Sequence, residues 1–99
     1  MFIVIRTNEF NTQVGYIISR HRSIVSARKS AIQCLEGAYH SEVEIYDNTK
    51  AHLGSVGELV GVVRNKPIYG GITWHSTDKD GKKARWLLRK NGELGERQL

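Results

Sequence analysis

The sequence contains one stretch with a clear helical spacing of apolar side chains, residues 23–36 (SIVSARKSAIQCLE). Ser23 or Ser26 can accept a backbone N–H bond at its start, and Gly37 suits the left-handed conformation that follows many helices. One side of this helix has the following apolar residues: Ile24, Ala27, Ala31, Cys34, Leu35 and Ala38. Because this side is mostly alanine, we expect the helix to lie close to the surface that it covers.

The segments before and after the helix have the β-branched content and the alternation of strands. We predict strands at residues 2–7, 12–19, 42–47, 55–63, 68–76 and 83–89, and turns at residues 8–11, 47–50, 78–81 and 91–92. Residues 55–63 also fit a helix that starts with a capping box of Ser55 and Glu58. Gly57 and Gly61 and the run of valines favour a strand there. The last few residues are expected to be frayed.

These elements predict an α+β fold in a single small domain, residues 1–99. The predicted sheet is small and mainly antiparallel, in the order β-β-α-β-β plus a C-terminal β-hairpin, with one main helix packed on one face. The first strand has apolar side chains on both faces, with Phe2 and Val4 alternating with Ile3 and Ile5, so it should be central. One helix covers one face, so the other needs a hairpin or a second copy of the chain, and we predict a homodimer. Such an arrangement is common among small bacterial and phage domains.

The composition fits an ordered domain, since hydrophobic residues make up 39% of the chain and charged residues 25%. No apolar run approaches the roughly 18 residues of a membrane span, so no membrane partner is expected. The single cysteine, Cys34, cannot form an internal disulfide and falls on the inward side of the helix. These features predict a cytoplasmic location in a reducing compartment.

The sequence has no motif typical of an enzyme or of a metal site, so we expect no catalytic residue, no cofactor and no metal. Asp78, Asp80 and Gly81 resemble the start of a calcium loop, but the glutamate that such a loop needs is missing. No phosphate-binding loop or nucleophile motif occurs. The four histidines lack the spacing of a zinc site; they are His21, His40, His52 and His75.

The net charge is +5, and two basic segments flank an acidic middle. The first basic group surrounds the helix start and contains Arg20, His21, Arg22, Arg28 and Lys29. Cations at a helix N-terminus oppose the helix dipole, whereas the free N–H groups there favour an anion. This group therefore predicts an anion-binding site. The alternative is that Arg22 and Arg28 form ion pairs with Glu42, Glu44 or Glu58.

The second basic group lies near the C-terminus and contains Lys79, Lys82, Lys83, Arg85, Arg89 and Lys90, with Trp74 and Trp86 nearby. Cations beside aromatic side chains suit single-stranded nucleic acid, because bases stack and phosphates pair. The alternative is that both tryptophans pack in the core and that the lysines are ordinary solvated residues of a hairpin.

The first functional hypothesis is a small basic module, not an enzyme, that binds nucleic acid mainly through phosphate contacts. The alternative is a dimeric protein-interaction or regulatory domain that uses an apolar sheet face and the two tryptophans as its interface. A third possibility is a small-molecule binder or enzyme with a pocket between helix and hairpin.

Overall fold

The computed structural model describes residues 1–8, 11–38, 41–49, 51, 55 and 57–98, and for residues 7–8 and 11–16 only the backbone. Part of the predicted turn at residues 8–11 lies outside the described residues, as do His40, Lys50 and His52. We also expected apolar residues on both faces of the second predicted strand, and the side chains of Val14 and Tyr16, on which this depends, lie outside the described set.

The described residues form a seven-stranded sheet, one α-helix and one short 3-10 helix. The strands are β1 (Phe2–Asn8), β2 (Asn11–His21), β3 (Ser41–Asp47), β4 (Glu58–Lys66), β5 (Gly71–Thr77), β6 (Lys83–Leu88) and β7 (Leu94–Gln98). Helix α1 is Ile24–Leu35, and the 3-10 helix is Pro67–Tyr69. Every neighbouring pair is antiparallel, in the order β2-β1-β3-β4-β5-β6-β7. The prediction of an α+β fold class is confirmed, with sheet as the larger part.

Within the described part, no helix has the length and apolarity needed to cross a membrane.

Helix α1 begins after a serine cap, and one of its sides is buried. The backbone N–H of Ser26 donates to Oγ of Ser23, its N-cap, at 3.1 Å. Ala27, Ala31 and Leu35 are fully buried, and Cys34 is half-buried. The sheet residues in the same core cluster are Val4, Val43, Ile45, Val63 and Trp74. We call the face of the sheet that carries these residues the helix side, and the opposite face the second face.

Strand β4 settles the ambiguous stretch in favour of a strand that begins at Glu58. Gly61, which favoured a strand over a helix in the sequence, is also required by the packing at this position. A Cβ atom at this position would collide with the indole ring of Trp74 and with the carbonyl oxygen of His75. The glycine therefore allows the tryptophan on the neighbouring strand to approach the β4 backbone closely.

The second face of β1 is already covered within a single chain, because Ile3 is 2% exposed and Ile5 is 7% exposed. Trp74 and Trp86 are directly opposite each other on β5 and β6. Both contribute to the core on the helix side, so these two side chains do not cover the second face, which was one of the two possibilities that we considered. We predicted a homodimer because one helix leaves the second face of the sheet without a cover. Ile3 and Ile5 are covered in the single chain, so the homodimer stays a prediction without that support.

The C-terminal part of the chain is more ordered than its composition predicts. Residues 94–98 were expected to be frayed but form β7, which pairs with β6. Arg97 of β7 forms an ion pair with Asp78 at 3.0 Å and lies over the ring of Trp86.

The strand predicted from residue 68 starts at Gly71, because Pro67 suits the first position of a short helix and cannot donate to a sheet.

Candidate functional site

A groove of about 470 Å³ lies on the second face, over strands β4 to β7. Its floor is a row of side chains in register across four strands. Val62 is opposite His75, His75 is opposite Arg85, and Arg85 is opposite Gln98. Side chains directly opposite each other in an antiparallel sheet point to the same face. Residues far apart in sequence are thereby brought to one surface, which we call the second-face groove.

The second-face groove is cationic. Arg64, Lys83 and Arg85 line it, and none of its described lining residues is an aspartate or glutamate. The nearest acidic partner is on β3, where Glu42 accepts from Nε of Arg64 at 2.8 Å with both side chains partly exposed. A partly exposed pair of this kind adds little to stability, but it fixes the position of the arginine.

The guanidinium of Arg85 contacts the ring of Tyr69 and the side-chain amide of Gln98. Its Nε donates to Oε1 of Gln98 at 2.7 Å, and its Cζ lies 4.6 Å from the ring centroid of Tyr69. The ring of Tyr69 in turn lies 4.9 Å from the ring of His75, tilted by 58°. The Nε2 amide group of Gln98 also donates to the carbonyl oxygen of Tyr69 at 3.4 Å. These contacts fix the plane of the guanidinium at the edge of the groove.

His75 is neutral at pH 7, because burial and the nearby cations Arg64, Arg85 and Lys66 lower its pKa to about 4, against a smaller raising effect of Glu42. Its Nε2 is 2.7 Å from Oγ1 of Thr73, a fully buried residue two positions earlier on β5. The ring is therefore fixed in orientation. Burial is the largest cause of the lowered pKa, and the positive charges of Arg64 and Arg85 add to it.

The first basic group is dispersed by the fold. Arg20 is opposite Ile3 and so points to the second face, but β1 and β3 separate it from the groove strands. Arg22 and Lys29 are exposed at the start of α1. His21 holds the junction between β2 and α1, since its Nδ1 is 2.7 Å from Oγ of Ser26 and its Nε2 is 2.7 Å from Oγ of Ser19.

Arg28, which we predicted to be part of an anion site, is buried instead and is 7% exposed. Its Nε donates to the carbonyl oxygen of Gly92 at 2.8 Å, and its Cζ lies 5.2 Å from the ring centroid of Trp74. Burial lowers the pKa of Arg28. The alternative paired Arg22 and Arg28 with Glu42, Glu44 or Glu58, and of these three acids Glu42 forms its ion pair with Arg64 instead.

The second basic group is divided between the two ends of β6. Lys83 and Arg85 line the second-face groove, and Lys82 is exposed in the turn before β6. Arg89 is exposed at the other end, in the turn whose Gly92 contacts the helix start. Trp74 is 4% exposed in the core and Trp86 is half-buried. Neither tryptophan faces the groove that Lys83 and Arg85 line.

Sequence reasoning missed Arg64, Tyr69, His75 and Gln98 as site residues. Alternation along residues 71–77 and 83–88 could have placed His75 and Arg85 on the side opposite the tryptophans. The register that joins them to Arg64 and Gln98 has no local signature in the sequence. Within the described residues, no group of three or more His, Cys, Asp or Glu side chains could hold a metal ion.

Comparison of the chain with protein-family models, with curated proteins and with solved structures finds no match. The functional argument therefore rests on the geometry and charge of the second-face groove.

Proposed function

We propose that this chain is a module that binds nucleic acid mainly through phosphate contacts, and that it does so at the second-face groove. The observation that supports this function best is the charge of the groove. Three cations, Arg64, Lys83 and Arg85, line it, and no acidic side chain is among its described lining residues. Such a surface attracts a polyanion whatever its base sequence.

The environment of His75 supports the same proposal. Burial is the largest cause of the low pKa of this imidazole, and two cations of the groove, Arg64 and Arg85, lower it further. The positive charge of these two cations favours a phosphate oxygen in the groove. Arginine suits this role because its planar fork can hold two phosphate oxygens at once.

The size of the groove fits a short stretch of a nucleic-acid chain. Its volume of about 470 Å³ is within the usual range of sites for small organic ligands. Arg20 points to the same face from β2 and would extend the path of phosphate contacts beyond the groove. The phosphate backbone then positions the ligand, and little base-specific readout is expected.

The alternative function, a protein-interaction domain built on the two tryptophans, has less support. Trp74 is 4% exposed beneath α1, so it cannot anchor a partner without opening the core. The second face of β1 is closed at Ile3 and Ile5, so these two residues do not supply the apolar surface that the alternative needed.

The experiment that tests the proposal is a salt titration of binding to labelled oligonucleotides. Affinity should fall steeply between about 50 and 200 mM salt. Lys83→Ala should weaken binding to the same extent for unrelated base sequences, and should reduce the slope of log affinity against log salt by about 1. The matched control is Lys90→Ala, an exposed lysine at the other end of β6, which should change neither quantity. An affinity that does not respond to salt would contradict the proposal.

A further inference from the structure

We infer that the second-face groove takes unpaired bases, so that its ligand is single-stranded nucleic acid, with the guanidinium plane of Arg85 as the surface on which a base stacks. This inference rests on the proposed function and makes it more specific. It concerns which form of nucleic acid the groove accepts.

The guanidinium plane of Arg85 is held in a fixed orientation before any base binds. Its guanidinium lies over Tyr69, with Cζ 4.6 Å from the ring centroid, and Gln98 holds its Nε at 2.7 Å. Bases that are not paired commonly stack on guanidinium planes as well as on aromatic rings. The guanidinium plane is already fixed by the ring of Tyr69 on one side and by the amide of Gln98 at its edge. Little side-chain entropy of Arg85 is therefore lost when a base stacks on it.

The second argument is the position of the charges relative to the floor. Arg64 on β4 and Arg85 on β6 line the groove on the same face as the uncharged floor residues Val62 and His75. A duplex keeps its bases stacked inside and presents only phosphates, so it would reach the rim but not the floor. A single strand can place a phosphate beside the arginines and a base on the floor at the same time.

The third argument is the chemical state of the groove floor. His75 and Tyr69 form a tilted ring pair at 4.9 Å, and the imidazole is neutral at pH 7. A neutral ring next to two arginines offers an uncharged surface and hydrogen-bonding atoms to a base. A site that recognised phosphates alone would gain more from a protonated histidine.

The test compares a fluorescein-labelled oligothymidylate of about 12 nucleotides, within the site sizes known for single-strand binders, with its duplex with oligoadenylate. Both are measured by fluorescence anisotropy at the same salt concentration. We expect the single strand to bind about tenfold more tightly, as expected for stacking of one base.

The decisive variant is Arg85→Lys, which keeps the charge but removes the plane. Single-strand affinity should fall about tenfold, duplex affinity should stay the same, and the salt slope should not change. Gln98→Ala removes the amide that fixes Arg85 and should reduce the single-strand preference without changing any charge. Thermal melting of both variants by circular dichroism establishes that they are folded.

The outcomes separate the two proposals. Equal affinity for both ligands, or an Arg85→Lys variant that binds the single strand like the original chain, overturns the stacking inference and leaves the proposed function intact. Absence of binding to either ligand at about 50 mM salt overturns the proposed function, and this inference with it.

Discussion

The side chain of Arg28 joins the helix to the last hairpin of the sheet, because its Nε donates to the carbonyl oxygen of Gly92, 64 positions further along the chain, at 2.8 Å. The guanidinium also lies 5.2 Å from the ring centroid of Trp74. A buried charge needs such partners, since leaving it without them is strongly unfavourable. Arg28 therefore stabilises the closure of the hairpin over the helix start.

Replacing Arg28 by alanine should lower the free energy of unfolding by about 1–3 kcal/mol, because a hydrogen bond from a charged donor is lost and Gly92 keeps an unpaired carbonyl. Urea denaturation followed by circular dichroism measures this. Lys29→Ala, at the exposed neighbouring position, is the control and should stay within about 0.5 kcal/mol. Oligonucleotide affinity of the Arg28→Ala variant should not change, since this side chain is away from the groove. Equal stability of the two variants would argue against the structural role of Arg28.

Gly92 should be more sensitive to alanine than another glycine with the same backbone conformation. Its φ is 90°, and a Cβ atom there would collide with the carbonyl oxygen of Val25 in the first turn of α1. We expect Gly92→Ala to reduce stability by about 2–4 kcal/mol, from backbone strain and displacement of the hairpin together. Gly81 has φ of 79° and no atom within 4 Å of such a Cβ, so Gly81→Ala should lose only about 1–2 kcal/mol. Equal losses in urea denaturation would show that the hairpin does not press on the helix.

The imidazole of His75 should titrate near pH 4 in the free protein, because burial and then Arg64 and Arg85 lower its pKa to about 4. Histidine NMR resonances followed against pH measure this, and the His75→Gln variant identifies the resonance. A bound oligonucleotide should raise this pKa, since phosphate stabilises the imidazolium. A midpoint near 6.5 without ligand would mean that His75 is neither buried nor close to the groove arginines as the structure places it.

The same shift makes stability depend on pH. Since the folded pKa of His75 is below its unfolded value of 6.5, the unfolded state binds the extra proton between about pH 6.5 and 4. The contribution of neutral His75 to the free energy of unfolding is complete above pH 6.5. It is lost as the pH falls toward 4, and its size is on the order of 1–3 kcal/mol. In the His75→Gln variant, the free energy of unfolding should depend less on pH in this window. The pKa of Asp78 is also lowered, mainly by the backbone N–H of Lys82, but that shift acts below its usual 3.8 and so outside the window.

Tryptophan emission should not change when an oligonucleotide binds, because Trp74 and Trp86 belong to the core on the helix side and the groove is on the second face. Emission and anisotropy of a labelled ligand are recorded in one titration, so that binding is established independently. Strong quenching at saturation would mean that bases stack on Trp86, as the sequence first indicated, and would place the ligand on the wrong face for our proposal.

The local elements of this fold were largely predictable, whereas the composition of the site was not. The spacing of Ala27, Ala31 and Leu35 and the cap at Ser23 indicated α1 within one residue of its observed bounds. Lys83 and Arg85 were predicted as site residues and line the groove. Arg64 and His75 were not, since nothing near them in sequence shows that they become neighbours. Arg28 was predicted to take part in an anion site because it stands among other cations near the helix start, and its burial has no local signal in the sequence.

The sequence by itself determined the helix, the existence of most strands and the excess of positive charge, because each depends on residues within a few positions of one another. Only the tertiary structure decided which side chains share a face. The antiparallel register sets Val62, His75, Arg85 and Gln98 in one row, and a shift of one residue in any strand would turn its side chains to the other face. The burial of Arg28 likewise follows from the approach of a hairpin 64 residues away, which no local pattern in the sequence encodes.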